Sequence, residues 1–139
     1  MQRIVGVVAI VVCTLVGCEP TTEPVRTPTL DFTFGVHRLA VEPPFLVEST
    51  GDALVVRGTY ETLTSGYTAE ASASLTAGVL ELRVVGTQPE SNHPVVTPTG
   101  YEARIHGASR PPNRLRIVHE YRGINRAPTV VFEQELSLQ

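Results

Sequence analysis

The chain has 139 residues, and its 11 basic residues, all arginine, stand against 14 acids for a formal net charge of −3, which excludes bulk nucleic-acid binding. A 42% hydrophobic content with no charge block excludes wholesale disorder. The length suits one domain and leaves no room for two.

Residues Ile4 to Cys18 read IVGVVAIVVCTLVGC, preceded by the positive Arg3. The apolar run falls short of the roughly 20 residues that a bilayer span needs and matches a signal-peptide core. It ends in Leu15-Val16-Gly17-Cys18. That tetrapeptide resembles the lipobox of bacterial lipoproteins, in which a cysteine thiol accepts lipid and the chain is cleaved before it. The resemblance implies that residues 1–17 are a signal peptide, that Cys18 is the acylated amino terminus, and that the protein meets the membrane through this lipid. It also implies a cell-envelope location. Glu19 is not the aspartate associated with inner-membrane retention in enteric bacteria, so the outer membrane is the default. Cleavage would leave 139 − 17 = 122 residues. Cys13 leaves with the signal peptide and Cys18 carries lipid, so the folded part has no thiol for a disulfide, and packing alone must hold it.

Residues 18–29 are the lipidated cysteine and a tether, because EPTTEPVRTPT from Glu19 to Thr29 carries three prolines and four threonines without apolar periodicity. Proline favours extended conformations, giving a semi-rigid spacer of about 30 Å at roughly 3 Å per residue.

From residue 30 to 139 the apolar period is two. Leu30, Phe32 and Phe34 alternate with Asp31 and Thr33, and the phase switches after Gly35 to Leu39 and Val41, which predicts a bulge there. Pro43-Pro44 ends this strand. Asp52 to Glu61 follows, with Leu54, Val56 and Tyr60 on one face and Val55 making the other partly apolar. Tyr67 to Thr76 sets four small or apolar residues against polar ones, a strand pattern despite alanine's helical preference. Ala77-Gly78 turns into Val79 to Gly86, predicting a hairpin. Thr87 to Thr99, with three prolines, reads as a long loop. Tyr101 to His106, Leu115 to Arg122 and Thr129 to Leu138 complete the strands, the last with Val130, Phe132, Leu136 and Leu138 inside.

About seven short strands and no helix after the signal peptide predict an all-β sandwich. The run Tyr101 to Gly107, then Pro111-Pro112 and Leu115-Arg116-Ile117-Val118, resembles the E-to-F crossing of fibronectin type III and related immunoglobulin-like domains. An immunoglobulin-like β-sandwich of about seven strands is therefore the fold expected, although Leu115 stands where that family has its corner tyrosine. A simple hairpin between these two strands is the alternative, and it would pair Arg104 with Glu120 and Glu102 with Arg122.

Chemistry-bearing patterns are sparse. The four histidines, His37, His93, His106 and His119, have no ligand spacing and no cysteine to join them, so no metal is expected, and no cofactor motif occurs. His119 alternates with the inward Ile117 and Tyr121, which reads as a hydrogen-bonded core histidine. No serine elbow, activated cysteine or carboxylate pair is present, so the chain does not read as an enzyme. Six arginines, Arg104, Arg110, Arg114, Arg116, Arg122 and Arg126, fall within 23 residues holding Glu120 as the sole acid. Arg104, Arg114, Arg116 and Arg122 are accordingly the candidate interaction surface for an anionic glycan or an envelope protein, against the plainer reading that they pair with glutamates such as Glu133 and Glu135. The function expected is a membrane-anchored binding or adaptor module. A structural envelope component is the alternative, and a lipid-tethered hydrolase would need a pocket that the sequence does not display.

Overall fold

The computed structural model describes residues 27–36, 44–90, 94–107 and 112–137. Cys18, the signal peptide, His37, His93, Arg110, the Leu39/Val41 phase and Leu138 lie outside them. The described residues hold eight strands and no helix: β1 (Thr29–Val36), β2 (Phe45–Thr50), β3 (Ala53–Thr64), β4 (Thr68–Thr76), β5 (Val79–Thr87), β6 (Pro94–His106), β7 (Arg114–Arg122) and β8 (Thr129–Glu135). They form a β-sandwich of two four-stranded sheets, in the orders β1-β6-β3-β2 and β4-β5-β7-β8.

The strand count exceeds the seven expected because β2 is a strand. It pairs antiparallel with β3 from Thr50↔Ala53 to Phe45↔Gly58. Six residues hemmed by Pro44 and the Gly51-Asp52 turn carry too little periodicity to announce themselves.

The long loop expected from Thr87 to Thr99 is also shorter, since β6 begins at Pro94. Its first half pairs with β3 alone, while β1 joins only from Gly100 onwards. The Thr59 N–H bonds the Pro44 carbonyl, so odd-numbered residues of β3 turn their backbone toward β2. Pro98, opposite Glu61, therefore turns its nitrogen to the open side, where a missing donor costs nothing.

Gly35 sits at φ +78° where the β1 register shifts, which is the bulge expected of a glycine at a phase change. A second bulge, between Ile117 and Val118 in the β7–β8 ladder, corrects the reading of β8. Val130, expected inside, is 50% exposed, and Val131 packs on the core beside Phe132.

β6 and β7 lie in different sheets, so their connection crosses the sandwich and the hairpin with Arg104–Glu120 and Glu102–Arg122 pairs does not form. β5 and β7 run parallel, and β6 in the facing sheet supplies the return path that a parallel pair requires. This parallel pair sets the second sheet apart from the antiparallel sheets of immunoglobulin-like domains.

Alternation fills the space between the sheets. Val56, Tyr60, Leu80, Leu82, Val84, Leu115 and Ile117 are fully buried, each large apolar side chain contributing about 1.5–3 kcal/mol. The chain enters β1 at Thr29, opposite His106, which also faces Ala53, and these residues mark one end of the sandwich. The Ser65-Gly66 turn and the Thr64↔Pro94 and Thr68↔Thr87 pairs mark the far end.

Candidate functional site

The four arginines singled out by their density do not share one surface. Arg104 lies on β6 between the inward Ala103 and Ile105, on the outer face of the first sheet. Arg114, Arg116 and Arg122 lie on β7, on the outer face of the second sheet.

Each has a carboxylate within reach. Arg114 meets Glu133 at 3.1 Å and Glu135 at 3.3 Å, Arg116 meets Glu133 at 3.5 Å, and Arg122 meets Glu70 at 2.6 Å. Arg104 stands 3.9 Å from Glu102, which Arg57 binds more closely at 2.9 Å. Register explains the pattern, since Arg114↔Glu135 and Arg116↔Glu133 are direct cross-strand neighbours. Arg83 likewise bridges Glu81 and Glu120, and hydrogen bonds to these two carboxylates raise its guanidinium above the usual arginine range. The outer faces are thus neutralised lattices of ion pairs.

Sequence reasoning missed a polar seam through the middle of the core. The Tyr60 hydroxyl, reaching across from β3, donates to the Glu120 carbonyl at 2.6 Å and accepts from the Gly86 N–H at 3.1 Å. The Gln88 N–H bonds the Arg122 carbonyl, which fixes the phase of the parallel β5–β7 ladder. In that phase Gly86 N–H and Glu120 C=O form the next rung. Tyr60 is inserted in that rung. Glycine is required at 86, because a Cβ there would overlap the Tyr60 ring and hydroxyl. A similar contact places the Tyr101 ring over Gly58, its cross-strand neighbour.

His119 occupies the inward position that its alternation implies. It is 4% exposed, its Nε2 lies 3.2 Å from the Tyr101 hydroxyl, and its ring stacks obliquely on Tyr60 at 4.8 Å. Burial, with a lesser push from Arg126, lowers its pKa to about 4, so it is neutral at physiological pH. Burial raises the Tyr60 and Tyr101 hydroxyls well above the usual phenol range. The seam therefore carries no charge and acts as a hydrogen-bonded brace.

At the far end, a cleft of about 580 Å³ opens between the sheets, lined by Phe34, Thr62, Thr64, Tyr67, Thr97 and Thr99 among others. The Thr62 hydroxyl is committed to the Thr97 carbonyl, whereas the buried Thr64 hydroxyl has no hydrogen-bond partner among the described residues. The lining offers hydroxyls and ring faces, with no carboxylate or imidazole among its described residues. That chemistry suits binding. Among the described residues no group of histidine and acidic side chains is arranged to hold a metal ion.

Comparison of the chain with protein-family models, with curated proteins and with solved structures returns no match.

Proposed function

We propose that this chain is a bacterial envelope lipoprotein, anchored through lipid on Cys18, whose β-sandwich acts as a binding or adaptor module. The observation that carries the reading is Leu15-Val16-Gly17-Cys18, set directly behind an apolar run of signal-peptide length and the positive Arg3. A thiol accepts the diacylglyceryl group, and two or three acyl chains give stable anchoring where one alone is marginal. The Pro/Thr segment then joins the lipid to β1 at Thr29, leaving the far-end loops and cleft free of the anchor. Glu19 is not the aspartate associated with inner-membrane retention, so the outer membrane is the default location.

The partner is another envelope protein or an anionic glycan. To engage Arg114, Arg116 or Arg122 an anionic partner must displace the glutamate already there, so such binding is expected to be weak and to fall steeply with salt. Two measurements test the proposal. Mass spectrometry of the membrane-associated protein should find Cys18 as an acylated amino terminus, and Cys18→Ser should yield uncleaved or soluble chain. A Cys18→Ser chain that remains membrane-bound overturns the anchor. Crosslinking in intact cells should then give one dominant partner, and a diffuse background would overturn the adaptor role.

A further inference from the structure

The ends of a sheet present unpaired backbone groups, and folded proteins blunt them with bulges, prolines, charges or short strands. Three of the four edges here are blunted. β1 carries the Gly35 bulge, β2 has six residues with Glu48 midway, and β8 follows Pro128, is bulged against β7 and bears Glu133 and Glu135. β4 is not. It runs for nine residues, TAEASASLT, in unbroken register with β5 from Thr68↔Thr87 to Thr76↔Val79, with no proline and no bulge.

The direction of its free groups follows from the hairpin. Ala77 and Gly78 both have positive φ, as a two-residue type I′ turn requires, so Thr76 and Val79 form the hydrogen-bonded pair that closes it. Alternation turns the backbone of Thr68, Glu70, Ser72 and Ser74 toward β5 and that of Ala69, Ala71, Ala73 and Leu75 outward. Among the described residues no backbone bond reaches this outward edge.

We propose that a second copy of this chain pairs on the β4 edge, antiparallel about Ser72, joining two sheets into one of eight strands. The strand is complementary to itself in this register. Ala71 lies opposite Ala73 of the second copy and Ala69 opposite Leu75, so all four outward backbone positions bond and supply about eight hydrogen bonds. The polar face meets as Ser72 with Ser72, Glu70 with Ser74 and Thr68 with Thr76. No like charges face each other, and hydroxyl pairs favour cross-strand contact. Small side chains let the backbones approach. On the same flank Phe32, Phe34 and Ala69 are only partly buried and border the far-end cleft, so pairing two flanks covers apolar surface that one copy leaves open. Strands lying parallel to a membrane would let both tethers reach one bilayer, yet the pairing does not depend on lipid.

Disulfide trapping tests this in the full-length chain. Two differently tagged copies carrying Ser72→Cys, co-expressed and mildly oxidised, should give a crosslinked product bearing both tags. Ser74→Cys, which the register sets opposite Glu70, and the wild-type chain should not. Adding Ala71→Pro removes an outward N–H from each copy and should abolish the product. Should that variant fold poorly, Thr68→Arg with Thr76→Arg alters only exposed positions, sets like charges opposite each other twice, and should lower the yield about fivefold at unchanged melting temperature. No product with both tags, equal trapping by Ser74→Cys, a product with a different protein, or a yield untouched by both blocking variants overturns the proposal.

Discussion

Tyr60 and Tyr121 each donate a hydrogen bond to the backbone carbonyl beside the other: Tyr60 to Glu120 at 2.6 Å and Tyr121 to Glu61 at 3.0 Å, with ring centroids 4.8 Å apart. One tyrosine belongs to each sheet, so the bonds cross the sandwich in opposite directions. Hydrophobic burial is non-directional and would tolerate one sheet sliding over the other. Two reciprocal, charge-free bonds define a single register between the sheets.

Tyr60→Phe should therefore destabilise the protein by about 1–3 kcal/mol, because it leaves the Gly86 N–H and the Glu120 carbonyl without their buried partner. Tyr121→Phe removes one bond and should cost about 1 kcal/mol. Urea unfolding of the two variants checks the order. Equal costs would mean that the inserted rung carries no extra weight.

Gly86→Ala should be more damaging than its single methyl suggests, since the new Cβ would overlap Tyr60 and force the seam apart. A loss of several degrees in melting temperature is expected. Gly107→Ala, where a Cβ meets open space and only the positive φ is strained, should cost about 1 kcal/mol, and comparing the two melts separates crowding from strain.

His119 makes the fold acid-sensitive. Its folded pKa of about 4 lies below the unfolded value near 6.5, so between these pH values the unfolded chain binds the proton and the folded one does not. Stability contributed by the neutral ring is complete above pH 6.5 and is lost as pH falls toward 4, reaching roughly 3 kcal/mol. Urea midpoints at pH 7.5, 5.5 and 4.5 should fall in that order, and His119→Leu should flatten the slope.

Surface arginines and core aliphatics should behave oppositely. Replacing Arg114 and Arg116 together by alanine removes exposed pairs to Glu133 and Glu135 and should change stability by no more than about 1 kcal/mol. Ile117→Ala, at the fully buried position that follows Arg116, should cost about 2–5 kcal/mol. A thermal melt of each decides it.

Alternation alone determined the all-β class, the β4–β5 hairpin at Ala77-Gly78, the inward placing of Ile117 and His119, and the bulge at Gly35, because each depends on residues within one strand or turn. The strand β2, the Pro94–Thr99 half of β6 and the outward Val130 were not legible. They exist because a neighbouring strand supplies partners or a bulge shifts phase, and a proline on an open side looks in sequence like any other proline. Only tertiary structure decided that Arg104 and Arg122 lie on opposite faces and that Tyr60 reaches Gly86. A period of two tells which way a side chain points from its own strand and carries no record of which strand lies beside or across from it.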